Sequence, residues 1–441
     1  MAGIDNRRRF IGLGRHPEDR AIVALAVPAL AALAADPLYS LVDTAFVGNL
    51  GTAELGAVAV GTAAFTASFW MFSFLAYGVT PRVARAIGSG DKAAADRVGV
   101  QALFLAIGIG AAVSLLGVAL AGPIVRLLGA GGEVASHAEP YLRIRVLSAT
   151  AVLIGQVGHG WLRGAQDTRT PMYVATAGAL ANVVLDYVLI YPAGMGVEGA
   201  AWATVIGQGG VAIAFVLILL HRMHEPKWRF EWPAARSLIK VGVELAIRTG
   251  ALLAGLTIAT SVAARMGQVE LASWQIAMQV FLLLALTLDS VAIAAQALIG
   301  KRLGAGGAPS SRALSRRLMT WGVALGIVLT AVLLGITRPM AEIFSDDARV
   351  VASAAGLLIW LALMQPLSAA AFTLDGILIG ASDTRFLAAS MALASCLFIG
   401  ICLVALRLGW GTAGLAGGAT VWILIRVITT GLRWGGGRWA D

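Results

Sequence analysis

Residues 160–169, GWLRGAQDTR, return as residues 376–385, GILIGASDTR, with seven of the ten positions identical and an offset of 216. Three further islands share this offset: Gly51 and Glu54 with Gly267 and Glu270, Gly88 and Gly90 with Gly304 and Gly306, and Ala203-Thr204-Val205 with Ala419-Thr420-Val421. Because 216 is close to half of the 441 residues, the pattern predicts a duplicated unit.

The composition is typical of a membrane protein. The chain is 59% hydrophobic and 13% charged, whereas soluble domains carry about 25% charged residues, and its mean hydropathy is +0.83. Apolar stretches of this length can cross a hydrocarbon core of about 30 Å. We therefore predict an all-α integral membrane protein with twelve transmembrane helices, at residues 20–48, 54–80, 98–121, 140–160, 171–191, 197–220, 236–264, 271–298, 318–337, 350–375, 386–407 and 411–433.

The basic residues predict the orientation of these spans. With the amino terminus inside, 25 of the 33 Lys and Arg residues fall in cytoplasmic segments, which include the leader, the even-numbered connections and the tail with Arg426. Arg145 is among the residues that fall at or near the opposite face. This asymmetry places both termini in the cytoplasm. The first span follows a charged leader without a small-residue cleavage site, so we expect no removable signal peptide. The loop-borne charge carries no nucleic-acid-binding motif, and we expect no nucleic-acid partner.

Six spans per half make the repeat a parallel one, with two six-helix bundles related by a pseudo-twofold axis along the membrane normal. The most polar connection, residues 221–235, is predicted to link an amino-terminal lobe, residues 1–220, to a carboxy-terminal lobe, residues 236–441.

Charged and amide side chains inside the first lobe point to a site. Asp36 and Asp43 lie seven residues apart on the first span, and Asn182 and Asp186 lie four apart on the fifth. Each pair shares a helical face, and an acid at the membrane centre costs about 2.5–3.5 kcal/mol, so these groups are expected to face a cavity. Such a cluster can hold a proton, or a sodium ion if amide or hydroxyl oxygens contribute. The alternative is a polar knot that only fixes helix packing.

Two prolines, Pro28 and Pro37, interrupt the first span and predict a bend. The bend is either static or responsive to the state of the nearby acids. The acid cluster is not repeated, because the offset places Ala259, Phe398 and Cys402 at the positions of Asp43, Asn182 and Asp186.

The second half has other polar groups inside its predicted spans. Glu244 and Arg248 are spaced to pair on one helical face, and Asp375 is a candidate for the cytoplasmic half of a cavity. The repeated Asp-Thr-Arg sequence at 167–169 and 383–385 is expected to cap helices and anchor at the interface. No metal-ligand spacing or catalytic motif occurs, so we expect neither an enzyme nor a bound cofactor.

These residues resemble a known family. Residues 36–51, DPLYSLVDTAFVGNLG, resemble the first-helix signature of multidrug and toxic compound extrusion (MATE) transporters, in the spelling of the DNA-damage-inducible protein F (DinF) subfamily. Asn182-Val183-Val184-Leu185-Asp186 resembles the fifth-helix motif, and the segment from Leu162 to Arg169 resembles the loop motif.

The resemblance implies a monomeric plasma-membrane exporter that exchanges small amphipathic, often cationic molecules for an inward-moving proton or sodium ion. It implies that Asp43, Asn182, Asp186 and Thr204 form the cation site and that Pro28 is the bending proline, with Asp36 part of the motif. The alternative function is a flippase for a lipid-linked precursor, which we expect to line its cavity with several arginines; only Arg248 lies deep within a predicted span.

Overall fold

The computed structural model describes residues 17–70 and 74–440, and this part of the chain is helical without strands. Its fourteen α-helices are α1 (Pro17–Gly48), α2 (Thr52–Trp70), α3 (Phe74–Gly88), α4 (Lys92–Leu127), α5 (Gly132–Arg145), α6 (Ala149–Gly164), α7 (Arg169–Ile190), α8 (Gly196–Arg222), α9 (Trp232–Met266), α10 (Gln268–Gly304), α11 (Ala308–Phe344), α12 (Ala348–Gly380), α13 (Thr384–Leu408) and α14 (Gly411–Gly435). Arg7, Arg8, Arg9 and Arg15, which contribute to the predicted orientation, lie outside the described residues.

Ten of these helices are individually long and apolar enough to cross a membrane, as judged on the described residues. The other two predicted spans each correspond to consecutive helices: 54–80 to α2 and α3, and 140–160 to α5 and α6. A 3₁₀ turn, Val146–Ser148, separates α5 from α6. The hydroxyl of Ser114 on α4 donates to the Val146 carbonyl over 2.8 Å, so a side chain satisfies a carbonyl at the break, as a low-dielectric surrounding requires.

The described residues divide into two compact units. The amino unit comprises Pro28–Thr249, and the carboxy unit comprises residues 17–27 together with residues 250–440. Each unit therefore holds most of one sequence repeat, while the first turns of α1 count with the carboxy unit and the first half of α9 with the amino unit. The lobe boundaries at 220 and 236 stay a prediction.

The 216-residue repeat is present in the packing of the helices. In the amino unit α2 packs on α5, α3 and α4 pack on α6, and α7 packs on α8. In the carboxy unit α10 and α11 pack on α12, and α13 packs on α14. The single helices α10 and α12 thus occupy the places that α2 with α3 and α5 with α6 occupy in the amino unit.

Glycines of the opening motif form close helix contacts in both units. A Cβ atom at Gly160 would lie 2.8 Å from the Ala76 carbonyl oxygen, and one at Gly376 would lie 2.5 Å from that of Ala292. Both partners obey the 216-residue offset. The glycines are therefore retained because the backbones approach too closely for any side chain.

The Asp-Thr-Arg turns also have the same backbone in both units. Gln166 and Ser382, one residue before each Asp, adopt left-handed φ values of 65° and 64°. Asp167 accepts hydrogen bonds from the backbone amide and hydroxyl of Thr170, at 2.9 and 2.7 Å, and so caps α7 as predicted. Asp167 also pairs with Arg222 on α8 at 3.4 Å. Asp383 accepts a 2.6 Å hydrogen bond from Arg433 on α14, and its side chain makes no capping hydrogen bond. The second copy is therefore held by an ion pair rather than by a side-chain cap.

The polar connection between α8 and α9 is fixed to α4. The Asp96 carboxylate accepts from the backbone amides of His224 and Glu225 at 2.9 and 3.1 Å. The Gln101 amide donates to the Arg229 carbonyl at 2.7 Å and accepts from the Glu231 amide at 2.9 Å. Two buried side chains of one helix thus hold the connection along the amino unit.

The glycine contacts generate a stability prediction. We expect Gly376→Ala to lower the free energy of unfolding by about 1–3 kcal/mol, because the new methyl group meets backbone that cannot move aside. Gly400→Ala on α13 is the control, since nothing lies within 4 Å of a Cβ atom there. The measurement is thermal unfolding of the purified protein in detergent. Equal midpoints for both variants would contradict the close approach.

Candidate functional site

Two helices of the amino unit bring the predicted acids together. Asp43 on α1 is 8% exposed, and Asp186 on α7 is fully buried. Val47 and Ile190, one turn beyond these acids, belong to the same hydrophobic cluster, so the two helices are adjacent at this level. Asp186 accordingly lies within electrostatic range of Asp43. The spacing along each helix places the carboxyl groups on the facing sides.

A third helix, α8, completes this group. Gly207 lies beside Asn182, since a Cβ atom there would be 3.5 Å from the asparagine Cβ. Thr204, one turn earlier on α8, is buried, and its hydroxyl donates to the Ala200 carbonyl at 3.1 Å. Its oxygen lone pairs stay available as acceptors. The residues that the family resemblance assigns to a cation site therefore lie on three adjacent helices, α1, α7 and α8.

Four of these oxygens have no hydrogen-bond donor. In the part of the chain that the structure describes, Asp43 Oδ1, Asn182 Oδ1 and both carboxylate oxygens of Asp186 are buried and accept no hydrogen bond. An unsatisfied buried acceptor costs roughly 1–3 kcal/mol, and more when it is charged. A proton on a carboxylate or a small cation between the oxygens removes this cost. Among the described residues, no group of three or more His, Cys, Asp or Glu side chains is arranged to hold a metal ion.

A polar cavity of about 70 Å³ in the amino unit is lined in part by Asn182. Small residues leave the space open, and the polar side chains that line it are Asp36, Tyr39, Gln156, His159, Asn182 and Gln208. A volume of this size holds several water molecules. The structure therefore places Asp36 and Asn182 in one cavity, whereas Asp43 and Asp186 are not among its lining residues.

Four lining residues were not singled out from the sequence: Tyr39, Gln156, His159 and Gln208. His159 is an interior residue of α6, whereas the sequence analysis attached no role to it; its Nδ1 atom is buried without a hydrogen-bond partner in the described structure. Gln156 and His159 lie three residues apart on α6, and Tyr39 follows Asp36 by three residues on α1. A search for polar residues at helical spacing within the predicted spans would have identified these residues.

A buried cation, Arg145, lies near the acids and was also missed. The sequence analysis counted it with the charges near the outer face, but the residue is only 9% exposed. Its guanidinium lies 4.0 Å from the centre of the Phe65 ring and donates to the Ser148 hydroxyl over 2.9 Å. It ends α5, at the break before α6. A positive charge is therefore built into the amino unit.

The two prolines of the first span do not interrupt its helix. α1 continues through both, and Pro28 is the first residue of the amino unit. Pro28 is buried and Pro37 is exposed. The predicted bend and its dependence on the acids stay predictions.

The carboxy unit fills the corresponding place with apolar atoms. Ala259, Phe398 and Cys402, the offset partners of the three site residues, lie in one hydrophobic cluster, each with 0 to 1% exposure. Thr420, the partner of Thr204, donates to the Ala416 carbonyl at 2.9 Å, which repeats the Thr204 bond, and it also accepts from Trp360 Nε1 at 2.8 Å. The helix packing is thus retained in the carboxy unit. The oxygen-bearing side chains of the amino unit are either replaced by apolar ones or, at Thr420, engaged in a hydrogen bond from Trp360.

The polar groups predicted for the second half have other surroundings. Asp375 is buried and accepts a 2.8 Å hydrogen bond from Arg426 on α14. Arg426 was assigned to the cytoplasmic tail, and this is wrong, because the residue is 3% exposed within α14 and its guanidinium lies 4.8 Å from the centre of the Trp422 ring. Glu244 and Arg248 are half-buried on α9 and count with the amino unit; their pairing stays a prediction.

The apolar helices, the duplicated packing and the unsatisfied oxygens of the amino unit describe a membrane transport protein. The profile of the MatE family matches residues 28–188 and 251–432, one segment in each sequence repeat. The chain therefore belongs to the MatE family, as the resemblance of its motifs predicted, and it is a transporter rather than an enzyme.

Similar proteins agree with this assignment. The chain is 34% identical to Protein DETOXIFICATION 44, chloroplastic, of Arabidopsis thaliana, over 94% of this chain and 82% of the plant protein. It is 30% identical to the DNA damage-inducible protein F of Escherichia coli (strain K12), over 94% and 92%. A crystal structure of MATE in the bent conformation has a TM-score of 0.88, with 21% identity and 96% and 95% coverage. The predicted twelve-helix membrane fold is confirmed.

The buried ion pair of the carboxy unit generates a second prediction. We expect Arg426→Gln to lower the free energy of unfolding by about 3–5 kcal/mol, because it leaves the Asp375 carboxylate buried without its cation. Adding Asp375→Asn to this variant restores most of the loss. The control is Arg338→Gln, whose partner Glu342 lies at 3.0 Å with both side chains exposed, and where about 0–1 kcal/mol is expected. Thermal unfolding in detergent compares the four proteins, and a similar loss in both single variants would contradict this interpretation.

Proposed function

We propose that the protein is a cation-coupled antiporter that exports small amphipathic, often cationic molecules in exchange for a proton or a sodium ion. The observation that carries the proposal is the set of four buried oxygens without donors on Asp43, Asn182 and Asp186. A group of this kind binds a cation reversibly because the cation replaces missing hydrogen bonds and offsets carboxylate repulsion.

The arrangement supports coupling through the amino unit alone. The equivalent place in the carboxy unit is a packed apolar cluster around Phe398. The buried acids of the described carboxy unit, Asp19 and Asp375, are already bonded to Arg317 and Arg426. Cation exchange at Asp43 and Asp186 therefore supplies the coupling, while Asn182 and Thr204 contribute neutral oxygens.

The packing of α1 suggests how cation capture acts on transport. α1 contacts the end of α7 near the site: the Phe46 ring centre lies 6.4 Å from that of Tyr187 and 6.1 Å from that of Tyr191, and the Tyr191 hydroxyl donates to the Phe46 carbonyl at 2.8 Å. Both tyrosines are exposed, and contacts at exposed residues open at low cost. Loss or gain of a cation at Asp43 changes the forces on this helix directly, and Pro28 lacks the amide that would otherwise restrain it.

The substrate pathway follows from the same elements. Expulsion of substrate on cation entry is the exchange expected of alternating access, and substrates enter from the cytoplasm. The multidrug resistance proteins MdtK of Edwardsiella ictaluri and PmpM of Pseudomonas aeruginosa, which are 27% and 28% identical to this chain, favour a multidrug role. We further propose a monomer in the plasma membrane, as the family resemblance implies. Both termini would lie in the cytoplasm, as the charge asymmetry indicates.

The flippase alternative is not favoured, although one argument against it requires correction. The sequence analysis found one arginine deep within a span, Arg248, whereas the structure buries Arg145 and Arg426 as well. Arg426 is bonded to Asp375, and Arg145 lies within electrostatic range of three carboxyl groups. Because acids compensate both cations, neither provides the free positive surface that a diphosphate requires.

Replacing Asp43 tests the coupling. We expect Asp43→Asn to reduce gradient-driven efflux of a cationic dye from proteoliposomes at least tenfold, because the amide neither binds a proton nor contributes a charged ligand to sodium. Asp346→Asn is the matched control, since this aspartate is exposed between α11 and α12. Imposed proton and sodium gradients are compared in each preparation. Full efflux in the Asp43→Asn protein would refute the proposal.

Replacing Asn182 separates the two candidate ions. Sodium requires oxygen ligands beyond the carboxylates, so Asn182→Leu is expected to raise the half-saturating sodium concentration at least tenfold. A proton requires only a carboxylate, so a proton-coupled protein is expected to retain its half-saturation within about threefold. Efflux rates measured against a series of sodium or proton gradients distinguish the two, and an unchanged sodium dependence in a sodium-driven protein would exclude the amide as a ligand.

A further inference from the structure

Arg145 is a fixed cation in the neighbourhood where the proposed function places an exchangeable one. It is 9% exposed, and its guanidinium is held between the Phe65 ring, 4.0 Å away, and the Ser148 hydroxyl, 2.9 Å away. Ser148 is itself buried and donates to the Arg145 carbonyl at 2.7 Å. Cation–π contact and a bonded hydroxyl both hold the guanidinium in place.

The helix that carries Arg145 is tied to the acid-bearing helices. Tyr141, one turn earlier on α5, is buried and lies in one cluster with Val47 and Ile190, the residues that follow Asp43 and Asp186 by one turn. The Tyr141 hydroxyl is also 3.3 Å from the Thr62 hydroxyl on α2. The position of Arg145 relative to α1 and α7 is therefore determined by a packed core.

The charged and titratable groups that face Arg145 come from three helices. Those within electrostatic range are Asp36, Tyr39 and Asp43 on α1, Tyr141 on α5 and Asp186 on α7. Three carboxyl groups thus share one permanent positive charge. An arginine keeps its proton in proteins, so this charge is present in every state of the site.

We propose that Arg145 is an internal counter-ion that competes with the coupling cation for the Asp43 and Asp186 carboxylates, and so sets how readily the cation leaves. This inference rests on the proposed function. With the cation absent, the guanidinium offsets the repulsion between the carboxylates. With the cation present, the two positive charges repel each other in a poorly screened environment. Arg145 is thus a positioning and affinity-setting residue that need not touch the cation.

The chain offers a matched set of variants. Arg145→Gln removes the charge and retains hydrogen-bonding capacity, and Arg145→Lys retains the charge. Arg143→Gln is the control: it lies two residues earlier on the same helix, and its partner is the partly exposed Glu139 at 2.6 Å. Arg145→His supplies a charge that acidic solution can switch on within one folded protein, should the glutamine variant fail to fold.

The test measures the rate of dye efflux from proteoliposomes at a series of concentrations of the cation that drives the wild-type protein. These rates give the half-saturating cation concentration and the maximal rate separately. We expect Arg145→Gln to lower the half-saturating cation concentration at least tenfold and to lower the maximal rate, because the cation binds more tightly and leaves more slowly. Arg145→Lys and Arg143→Gln are expected within about threefold of wild type. In sodium-driven protein, Arg145→His is expected to lose sodium affinity between pH 8 and pH 6 by a larger factor than wild type.

An unchanged or raised half-saturating concentration in Arg145→Gln overturns the inference, as does a lysine variant that behaves like the glutamine variant. For a glutamine variant that does not fold, a histidine variant with the wild-type pH response overturns it. A structural role alone would lower the maximal rate and leave half-saturation unchanged. Wild-type protein that shows no efflux under either gradient overturns the proposed function and this inference together, whereas a coupled wild type with an unaltered Arg145→Gln affinity overturns only the inference.

Discussion

In hydrocarbon, every polar group has to find its partner inside the protein, and this constraint governs the structure described above. Backbone groups are satisfied by helices throughout the described residues, and at the break after α5 the Ser114 hydroxyl serves a backbone carbonyl. Buried charges meet the same requirement, since Asp375 bonds Arg426 and Asp19 accepts two 2.6 Å hydrogen bonds from Arg317. In the part of the chain that the structure describes, the buried carboxylate oxygens without a donor belong to Asp43 and Asp186, and they lie in the amino unit together with the unsatisfied Asn182 amide oxygen.

The two units share the same helix packing but differ in the chemistry of their buried side chains. Helix pairs, close glycine contacts and left-handed turns recur at an offset of 216 residues, as Gly160 with Gly376 and Gln166 with Ser382 demonstrate. These features depend on backbone geometry, because the close contacts leave no room for an additional side-chain atom. Side chains elsewhere in the helices are less constrained by this geometry. Phe398 in the carboxy unit therefore occupies the position equivalent to Asn182 in the amino unit, with an aromatic ring in place of an amide.

Much of this was predictable from sequence for identifiable reasons. The length of the apolar stretches predicted the spans, and the repeat predicted two units. Helical spacing paired Asp36 with Asp43 and Asn182 with Asp186, whereas the family resemblance joined residues of both pairs in one site. Arg145 and Arg426 were assigned to the membrane surface because positive charge near a span end is ordinarily topological, and their burial depends on partners on other helices. His159 was missed for a related reason: a lone histidine gains meaning only from neighbours such as Asp36 that the fold brings to the same cavity.

The apolar filling of the carboxy unit has an evolutionary consequence. Ala259, Phe398 and Cys402 differ from their counterparts in the oxygens they lack, whereas the glycine contacts and the Thr420 bond to the Ala416 carbonyl are unaltered. An ancestral duplicate could therefore gain or abandon an ion-binding role through a handful of side-chain replacements, without passing through an unfolded intermediate. In such a lineage, selection for helix packing and selection for ion binding act on different residues. Descendants can therefore differ in ion binding while their architecture stays constant.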